Sequence, residues 1–370
     1  MLTVVLGGYG NFGARICRAL AGNPGIELVV AGRSQQRAAA LAAELGHGTR
    51  GLYLNVNQPD LADDLREMKA ELVIHAAGPF QQQGYAVAQA AAAAGAHYID
   101  LADARRFVCD FPAALDAAFR AAGRVGISGA STLPALSNAA LDHLILHWQA
   151  LESIDVCIAP AQSAPRGEAT MAAVLDYCGA PIQVWKKGQW TTQYGWSRPR
   201  RVRFARLRSR LGALCDVPDL ELFPLHYKGV QSVMFRAALE VGICQRALAI
   251  MGLLRRLGLL RQPVHYAAFL NRSANGFDFL GSGRGGMVVR AAGVGANGQP
   301  VQHAWHVMAD DDSGPEIPCM AAILLARRLA RGEVAKSGAT TSIGWLRLAD
   351  FAGEFAKWGM QTDVVDETRR

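Results

Sequence analysis

The sequence predicts an α/β protein that begins with a doubly wound parallel sheet and continues with an α+β domain whose sheet is mixed or antiparallel. In the first part, short apolar runs alternate with helix-like stretches, which is the pattern of a parallel sheet covered by helices. In the second part, strand-like runs flank turn signals at residues 186–188 and 295–298, which indicates two hairpins. We expect domains at residues 1–130 and 131–345, with a C-terminal segment at 346–370 that packs back on the first domain.

The individual elements follow from apolar periodicity and from the glycines and prolines between the periodic stretches. In the first part, strands are predicted at 2–6, 26–31, 51–54, 72–77, 97–101 and 125–128, with helices from residue 12 and at 38–45, 60–68, 85–94 and 111–122. In the second part, helices are predicted at 136–148, 168–178 and 317–331, strands at 154–159 and 232–239, and hairpins that pair 183–185 with 189–192 and 287–292 with 302–308.

A glycine-rich turn joins the first predicted strand to a helix whose apolar stripe is Phe12, Ile16 and Leu20. Residues 8–13 fit G-x-G-x-x-G in the strand–turn–helix setting that dinucleotide binding requires. The three glycines would allow the tight turn, the approach of backbone to a pyrophosphate, and close packing of helix on strand, and the helix N-terminus adds free N–H groups. A structural glycine turn is the alternative. The residues predicted to bind the cofactor in this Rossmann-type domain are Gly8, Tyr9, Gly10, Asn11, Phe12 and Gly13.

The end of the second strand predicts which dinucleotide binds. An NAD site usually carries Asp or Glu there to accept the ribose 2′-OH. This chain has no carboxylate between Glu27 and Glu44; Arg33 and Ser34 follow the strand, and Arg37 comes soon after. A cation and a hydroxyl suit a 2′-phosphate, so we predict NADP (NADPH) as the cofactor and Arg33 and Ser34 as residues that bind it. The alternative is a helix N-cap at Ser34 beside a solvated arginine, and both interpretations can hold together.

Two further strand ends are predicted to lie beside the glycine turn, because open α/β sheets bind ligands off the carboxyl ends of their strands. Residues 77–80 end the fourth strand, where the nicotinamide ribose would pass; a plain strand-ending turn is the alternative. Asp100 and Asp103 end the fifth strand, where a carboxylate can hold a substrate amine or relay a proton, although Asp103 can instead cap the next helix. The predicted residues are Ala77, Gly78, Pro79 and Phe80 for the cofactor, and Asp100 and Asp103 for catalysis.

Polar residues beyond the sixth strand are candidates for contact with a substrate or a metal. Ser131 and Thr132 precede Pro134, which suits the first turn of a helix, so their hydroxyls are predicted to bind a substrate carboxylate or phosphate. An ordinary N-cap is the alternative. His143 and His147 have the i, i+4 spacing of a shared metal, but the sequence offers no third ligand, so we predict no metal site.

These segments together resemble a known family. The motifs GGYGNFG, AGRS, AGPFQQQG, AGAHYIDL and SGASTLPALSNAALD resemble those of the saccharopine dehydrogenase-like (saccharopine reductase-like) oxidoreductases, over about the first 145 residues. The resemblance implies an NADP-linked Rossmann domain followed by an α/β domain for substrate binding and dimerisation. It also implies hydride transfer at a C=N or similar bond of an amino-acid-like or polyamine-like substrate, and the family includes lipid enoyl reductases. A non-catalytic NADP-binding regulator or membrane-surface adaptor is the alternative function.

The net charge of +7 comes from the middle of the chain. Residues 150–262 carry 16 Lys and Arg against 8 Asp and Glu, and residues 198–210 contain seven arginines and no acid. With the apolar stretch 239–260, these residues are predicted to make weak contact with a membrane surface, as an amphipathic helix does. The alternative is a solvated basic loop and a helix packed at a homodimer interface. Nucleic acid is not predicted as a partner, because the basic segment lacks interleaved aromatic residues.

The cysteines and the start of the sequence indicate a compartment. Seven cysteines lie scattered without a C-x-x-C pair, which is typical of reduced thiols in a cytosolic protein. The first strand begins at residue 2, so no signal peptide is predicted. We therefore expect a cytoplasmic homodimer that acts on a small-molecule substrate.

NADPH is predicted to bind about ten to a hundred times more tightly than NADH, because a hydrogen bond to a charged group contributes roughly 1.5–3 kcal/mol. The replacement Arg33→Asp should reverse this order, since an aspartate accepts the 2′-OH of NADH and repels a 2′-phosphate. Titration calorimetry with both cofactors measures the affinities of the wild type and the variant. Equal affinities in the wild type, or an unchanged order in the variant, would mean that the 2′-phosphate binds elsewhere.

Overall fold

The computed structural model describes residues 1–164 and 168–368, and the chain divides into two compact units. Unit 1 comprises Met1–Leu136 and Glu316–Leu346, and unit 2 comprises Ser137–Pro315 and Arg347–Arg370. The chain therefore leaves unit 1 after its first 136 residues, builds most of unit 2, returns to unit 1 and ends in unit 2. This division differs from the predicted domains at both boundaries, because unit 1 extends to Leu136 and also takes in Glu316–Leu346.

The secondary structure comprises sixteen strands and twelve α-helices within the described residues. The strands are β1 Leu2–Leu6, β2 Glu27–Gly32, β3 Arg50–Tyr53, β4 Leu72–His75, β5 His97–Asp100, β6 Val125–Ser128, β7 Ala150–Ala159, β8 Pro181–Lys186, β9 Gln189–Tyr194, β10 Arg200–Val202, β11 Arg210–Leu214, β12 Ser232–Ala237, β13 Gly285–Val294, β14 Pro300–Ala309, β15 Gly338–Thr341 and β16 Gln361–Asp366. The helices are α1 Asn11–Leu20, α2 Gln35–Leu45, α3 Leu61–Glu67, α4 Ala86–Ala93, α5 Arg105–Ala121, α6 Ser137–Leu144, α7 Glu168–Asp176, α8 Asp219–His226, α9 Gly242–Arg256, α10 Ala267–Asn275, α11 Ile317–Ala330 and α12 Ala352–Lys357.

Unit 1 is built on a sheet of seven parallel strands in the order β15-β6-β5-β4-β1-β2-β3. The strands β1, β4 and β6 are buried along their whole length, as apolar strands are when helices cover both faces of a parallel sheet. The direction of winding reverses between β1 and β4, and the carboxyl ends of strands at such a point form the usual ligand crevice. The predicted doubly wound parallel sheet is confirmed.

The seventh strand and the helix before it come from the end of the chain. β15 pairs with β6, with Gly338 opposite Val125 and Thr341 opposite Ser128. Arg327 of α11 donates a hydrogen bond to the carbonyl oxygen of Ala19 in α1 at 3.0 Å. The prediction that residues 131–345 form one domain is therefore wrong for residues 316–345, which belong to unit 1. β15 reads Gly-Ala-Thr-Thr and lacks the apolar run by which the other strands were recognised.

Unit 2 contains a mixed sheet in the order β10-β11-β12-β7-β13-β14-β16, with β8 paired to β12 and β9 to β8. β7 and β12 run parallel, and the other strand pairs described in this sheet are antiparallel. Both predicted hairpins are present: Trp185 lies opposite Trp190, and Val288 lies opposite His306. The predicted mixed α+β character of the second domain is confirmed.

The C-terminal segment forms an edge strand of unit 2. β16 pairs with β14, and ion pairs join Arg206 to Asp363 at 2.7 Å and Arg290 to Glu367 at 2.9 Å. Residues 347–368 therefore belong to unit 2, and packing of the segment 346–370 on the first domain stays a prediction; the last two residues lie outside the described residues. The segment pairs here because β14 would otherwise leave its outer backbone groups without a neighbouring strand.

Helix ends differ from their predicted positions. α5 begins at Arg105, six residues before the predicted start, because Phe107 and Phe111 continue its buried stripe toward the N-terminus. α6 ends at Leu144, so His147 lies beyond it and does not share a helix face with His143. Across the described parts of the chain, no helix combines the length and the apolar character needed to cross a membrane.

Gly51 of β3 should tolerate no side chain, because a Cβ there would overlap backbone atoms of Ala38 and Ala39 in α2. We expect Gly51→Ala to lower the free energy of unfolding by about 1–3 kcal/mol, the usual cost of overpacking. Gly84→Ala is the matched control, since a Cβ at Gly84 meets nothing within 4 Å. Urea denaturation of both variants measures the difference, and equal stabilities would contradict the close packing of β3 on α2.

Candidate cofactor and active site

The turn after β1 begins one residue earlier than the glycine motif. The N–H groups of Gly7 and Gly8 both donate to the carbonyl oxygen of Ala31 in β2, at 2.9 and 3.0 Å. Gly7 has φ of 78°, a left-handed conformation that favours glycine. The N–H of Gly10 then donates back to the Gly7 carbonyl at 2.9 Å. The sequence analysis did not select Gly7, although the doubled glycine at 7–8 signals it.

The motif glycines differ in what surrounds them. A Cβ on Gly13 would overlap the Gly7 carbonyl oxygen, and a Cβ on Gly8 would lie 2.8 Å from the Val5 carbonyl oxygen. The protein itself therefore excludes side chains at both positions. A Cβ on Gly10 would meet only the Gly7 carbonyl oxygen, at 3.1 Å, so the space beside Gly10 is otherwise open. No side chain caps α1 at Gly10, and this open helix N-terminus fits a phosphate group.

Asn11 and Phe12 begin α1. Asn11 is exposed, and its side-chain Oδ1 and backbone carbonyl oxygen each accept a hydrogen bond from Arg15 at 2.9 Å. Phe12 is half-buried, and its carbonyl oxygen accepts a contact from the Cys319 thiol at 3.5 Å. Their side chains thus lie on α1, and it is their backbone N–H groups at the helix start that could face a phosphate.

The end of β2 brings Tyr9 against the predicted 2′-phosphate residues. A Cβ on Gly32 would lie 2.6 Å from the Tyr9 ring, so the ring packs directly on the strand end. The Tyr9 hydroxyl accepts the N–H of Ser34 at 2.8 Å, and the Arg37 guanidinium lies 4.6 Å from the ring centroid. Arg33 is exposed beside them. The glycine turn and the segment 33–37 therefore form one surface, and Arg37 adds a second cation to it.

Ser34 has a structural role at this position. Its Oγ accepts the N–H of Arg37 at 3.3 Å, which makes it the N-cap of α2. The capping alternative for Ser34 is therefore present in the structure. A hydroxyl can accept one hydrogen bond and donate another, so the cap leaves Ser34 able to donate to a phosphate oxygen.

The segment after β4 touches the glycine turn, as the shared crevice requires. A Cβ on Gly7 would lie 3.0 Å from the backbone nitrogen of Ala77. Gln83 donates through Nε2 to the carbonyl oxygens of Ala77 and Pro79, both at 2.8 Å, which fixes the turn. Gly78 and Pro79 are exposed. Phe80 is buried, with its ring centroid 5.0 Å from His75 and 5.2 Å from Phe107, so Gly78 and Pro79 are the residues of this turn that face solvent.

Asp100, at the end of β5, is fully buried and binds the end of β6. Its Oδ1 accepts the N–H groups of Ala102 at 3.0 Å and Gly129 at 2.8 Å, and the Ser128 hydroxyl at 3.1 Å. Burial raises the pKa of Asp100 to about 6, and these donors oppose the rise. Its carbonyl oxygen also accepts the N–H of Ala130 at 2.8 Å. The carboxyl group thus fixes the turn that leads to Ser131.

Two buried polar side chains, His75 and Tyr98, lie on the strands β4 and β5 near Asp100. The Tyr98 hydroxyl is 3.1 Å from Nδ1 of His75, and both side chains are buried. Burial lowers the pKa of His75 to about 4, so the imidazole is neutral near pH 7. His75 opposes Asp100 in the β4–β5 pairing, which places a neutral ring and a carboxyl group under the same edge of the sheet. The sequence analysis did not single out His75 or Tyr98, because each reads as one more residue of an apolar strand.

Asp103 differs from Asp100 in its exposure. Its side chain is exposed, although the surrounding protein displaces enough water to raise the pKa of its carboxyl group. Its Oδ1 accepts a long hydrogen bond from Gln81 at 3.4 Å. The cap position of α5 belongs to Ala104 and no side chain caps that helix, so the capping alternative for Asp103 is not seen. Of the two predicted carboxylates, Asp103 is the one that solvent reaches.

Ser131 and Thr132 lie just before Pro134, where regular helical backbone begins. Ser131 is buried and Thr132 half-buried. Leu133 has the extended dihedrals φ −124° and ψ 125° and is the one non-helical residue of the short turn Thr132–Leu136, which continues into α6 at Ser137. Pro134 therefore lies in the first helical turn after these hydroxyls, and their contact with a substrate stays a prediction. The N–H of Ser131 donates to the Gly129 carbonyl at 2.8 Å, which links it to the turn that Asp100 fixes.

Histidine and cysteine side chains elsewhere in the described ranges are the other candidate metal ligands. Within 1–164 and 168–368, no set of three or more His, Cys, Asp or Glu side chains is arranged to hold a metal ion. Nδ1 of His306 instead accepts the N–H of Ala205 at 3.3 Å, and His303 packs against Trp148 with centroids 5.3 Å apart. The seven cysteines are free thiols.

Comparison with known proteins bears on both units. Residues 3–127 match the family described as the saccharopine dehydrogenase NADP binding domain. No curated protein sequence matches the chain. Among solved structures, apo saccharopine dehydrogenase (L-Glu forming) from Saccharomyces cerevisiae is similar with a TM-score of 0.69 at 14% identity, covering 98% of this chain and 99% of that one.

Two further solved structures are similar over most of the chain. Homospermidine synthase from Legionella pneumophila in complex with NAD has a TM-score of 0.62 at 9% identity, covering 100% of this chain and 92% of that one. Amine dehydrogenase from Mycobacterium smegmatis has a TM-score of 0.50 at 11% identity, covering 93% and 95%. At these identities the comparisons establish a shared fold.

The open space at Gly10 and the filled space at Gly13 predict opposite behaviour of two variants. Gly10→Ser keeps a good N-cap residue, so we expect stability without cofactor to change little while NADPH affinity falls at least tenfold, because the new side chain occupies the phosphate position. Gly13→Ala should instead lower stability without cofactor, since its Cβ overlaps the Gly7 carbonyl oxygen.

Thermal unfolding without cofactor and calorimetric titration with NADPH, applied to both variants, separate the two effects. Unchanged NADPH affinity in a folded Gly10→Ser protein would contradict a phosphate site beside Gly10.

Proposed function

We propose that the chain transfers a hydride to or from a C=N bond, on the premise that residues 3–127 match the family described as the saccharopine dehydrogenase NADP binding domain. The substrate in this proposal is small and amino-acid-like or a lipid, and a C=C or C=O bond is the other possible acceptor. The observation that carries the proposal is the grouping of Gly10, Gly78–Pro79 and Asp103 after three neighbouring strands, β1, β4 and β5. A dinucleotide that spans these strand ends would place its phosphates at Gly10, its nicotinamide ribose at Gly78–Pro79 and its reactive ring near the Asp103 carboxyl group, within one crevice.

The cofactor contacts follow from the geometry of the strand ends. We assign the pyrophosphate to the backbone of residues 8–13 and the 2′-phosphate to Arg33 and Ser34, with Arg37 stacked on Tyr9 as an additional cation. Ala77, Gly78 and Pro79 line the path to the nicotinamide, and Phe80 supports that turn from the buried side. NADPH, when bound, supplies the hydride.

The protein must also supply or remove a proton, since reduction of a C=N bond adds a hydride to carbon and a proton to nitrogen. Asp103 is the carboxylic acid that solvent reaches at this edge, and desolvation raises its pKa in the direction that suits a general acid. We assign it that role. Asp100 acts with it by fixing the turn at 128–131, from which Ser131 and Thr132 contact the substrate.

The remaining parts of the proposal concern partners and location. We propose a homodimer in the cytoplasm, where reduced thiols such as the seven free cysteines are usual. Weak contact of residues 198–260 with a membrane surface also stays a proposal, supported by their excess of arginine. Two arginines of the 198–210 run do not favour it, because Arg206 is paired with Asp363 and Arg210 is buried.

Asp103→Asn should lower kcat about 100-fold or more in NADPH oxidation with an imine, or with an oxo acid and an amine, since general acid catalysis contributes roughly that much. NADPH affinity should change less than about twofold, because the substituted carboxyl group is not among the residues assigned to the phosphates. Asp110→Asn is the control: Asp110 is an exposed acid of the same segment, paired with Arg106 at 3.3 Å.

Stopped-flow or steady-state absorbance of NADPH measures the rates of both variants. Equal turnover in Asp103→Asn and Asp110→Asn would remove Asp103 from proton transfer. A wild-type protein that binds NADPH and turns over no imine, enoyl or oxo-acid substrate would instead support the non-catalytic regulator.

A further inference from the structure

Exposed apolar side chains are concentrated in residues 243–280 of unit 2. Of the large apolar side chains that are exposed within the described residues, ten fall in this stretch of the sequence. Four of them are strongly exposed: Leu257 at 63%, Leu259 at 73%, Phe269 at 67% and Phe279 at 81%. Single exposed apolar residues are common on protein surfaces, but so many within 38 consecutive residues are typical of an interaction site. We call this stretch the 243–280 surface.

The helix α9 presents this surface because its opposite side is fixed to the rest of unit 2. Gln245, Leu248 and Gly252 are its buried residues. A Cβ on Gly252 would lie 3.2 Å from the backbone nitrogen of Gly179, so the helix packs closely there. Arg255 donates to the carbonyl oxygens of Asp176 at 2.6 Å and Cys178 at 2.9 Å. The outward side of α9 is therefore held toward solvent.

That outward side is regularly apolar. Ile243, Ile250, Leu254 and Leu257 follow one another at spacings of seven, four and three residues, which puts them on one face of the helix. Farther along the same stretch of sequence, Phe269 of α10 and Phe279 after that helix are also exposed. A helix with one face packed on its own domain and an apolar opposite face is suited to contact with a partner outside that domain.

The charge of the same segment indicates what the partner is. Residues 243–280 contain five arginines and one acid, Asp278, whose Oδ1 accepts a hydrogen bond from Gln162 at 3.0 Å. Arg246, Arg256, Arg261 and Arg272 are exposed among the apolar residues, and Arg256 also lies 4.3 Å from the Tyr194 ring centroid. A second copy placed symmetrically on this surface would oppose arginines to arginines, since a two-fold interface pairs a patch with itself. A partner with an anionic surface and an apolar layer beneath it would pair with the arginines and bury the exposed apolar side chains.

We propose that the 243–280 surface docks on anionic phospholipid membranes, with the arginines at the headgroups and Leu257, Leu259, Phe269 and Phe279 in the outer acyl region. Apolar side chains inserted beside cationic ones are how interfacial helices bind such membranes. The surface extends beyond residue 260 and leaves out the 198–210 arginine run. It does not depend on the hydride-transfer reaction, so either proposal can fail alone.

The test is flotation of the full chain with vesicles of phosphatidylcholine mixed with phosphatidylserine, and with vesicles of phosphatidylcholine alone. The wild type should float with the mixed vesicles, bind pure phosphatidylcholine at least tenfold more weakly, and lose affinity as salt rises. Leu257→Gln with Leu259→Gln should weaken binding about 100-fold, since each leucine that leaves the acyl region costs roughly a factor of ten. Leu146→Gln with Leu225→Gln is the control, because these leucines are 70% and 71% exposed elsewhere in unit 2.

A charge series separates this surface from the arginine run. Arg246→Gln, Arg261→Gln and Arg272→Gln together should weaken binding about 100-fold, whereas Arg201→Gln, Arg203→Gln and Arg208→Gln together should weaken it less than about threefold. NADPH binding by each variant checks that it is folded.

Several results would overturn the proposal. A wild type that stays with the soluble fraction, or floats equally with both vesicles, excludes anionic membrane docking. So does a loss of binding caused by the 201–208 variants and not by the 246–272 variants. If light scattering shows that Leu257→Gln with Leu259→Gln dissociates a dimer while vesicle binding is absent, the occupant is a second copy of the chain.

Discussion

The position of Gly7 is the steric constraint on which the cofactor end of unit 1 depends. Its N–H bonds to β2, its Cα side lies against the backbone after β4, and its carbonyl oxygen occupies the space where Gly13 of α1 would carry a side chain. One residue thus sets the separation of a strand end, a helix start and the neighbouring strand. Its positive φ makes glycine the suitable residue there. Beside Gly10, by contrast, a Cβ would meet only the Gly7 carbonyl oxygen, at 3.1 Å.

The two carboxyl groups after β5 show how environment divides similar residues between roles. Asp100 has no exposure and three donors on one oxygen, which suits a group that fixes backbone. Asp103, three residues later, has solvent access and one weak partner, which suits a group that exchanges protons. The neutral His75 and Tyr98 beneath them keep the edge of the sheet polar without adding a charge at pH 7. Placement relative to the buried sheet, more than residue type, distinguishes the two acids.

The sequence predicted much of unit 1 and less of how the chain is shared between units. Apolar runs and glycine turns are local signals, so β1 to β6 and both hairpins were found from periodicity. β15 and β16 were missed because short strands with polar residues are stabilised by the neighbours they pair with, β6 and β14, and those neighbours are distant in sequence. The same reason hid Gly7 and His75, because each acquires its role through a residue on another element. Arg33, the glycine motif and Asp103 carried a local signal and were selected.

A crystal structure of the protein with NADP⁺ tests the central claim most directly, namely that this edge of unit 1 holds the cofactor. We predict a pyrophosphate within hydrogen-bonding distance of the backbone N–H groups that begin α1. We also predict a 2′-phosphate in contact with Arg33, and a nicotinamide beside Gly78 and Pro79. A cofactor whose phosphates contact other elements, or whose 2′-phosphate lies away from Arg33, would contradict the account.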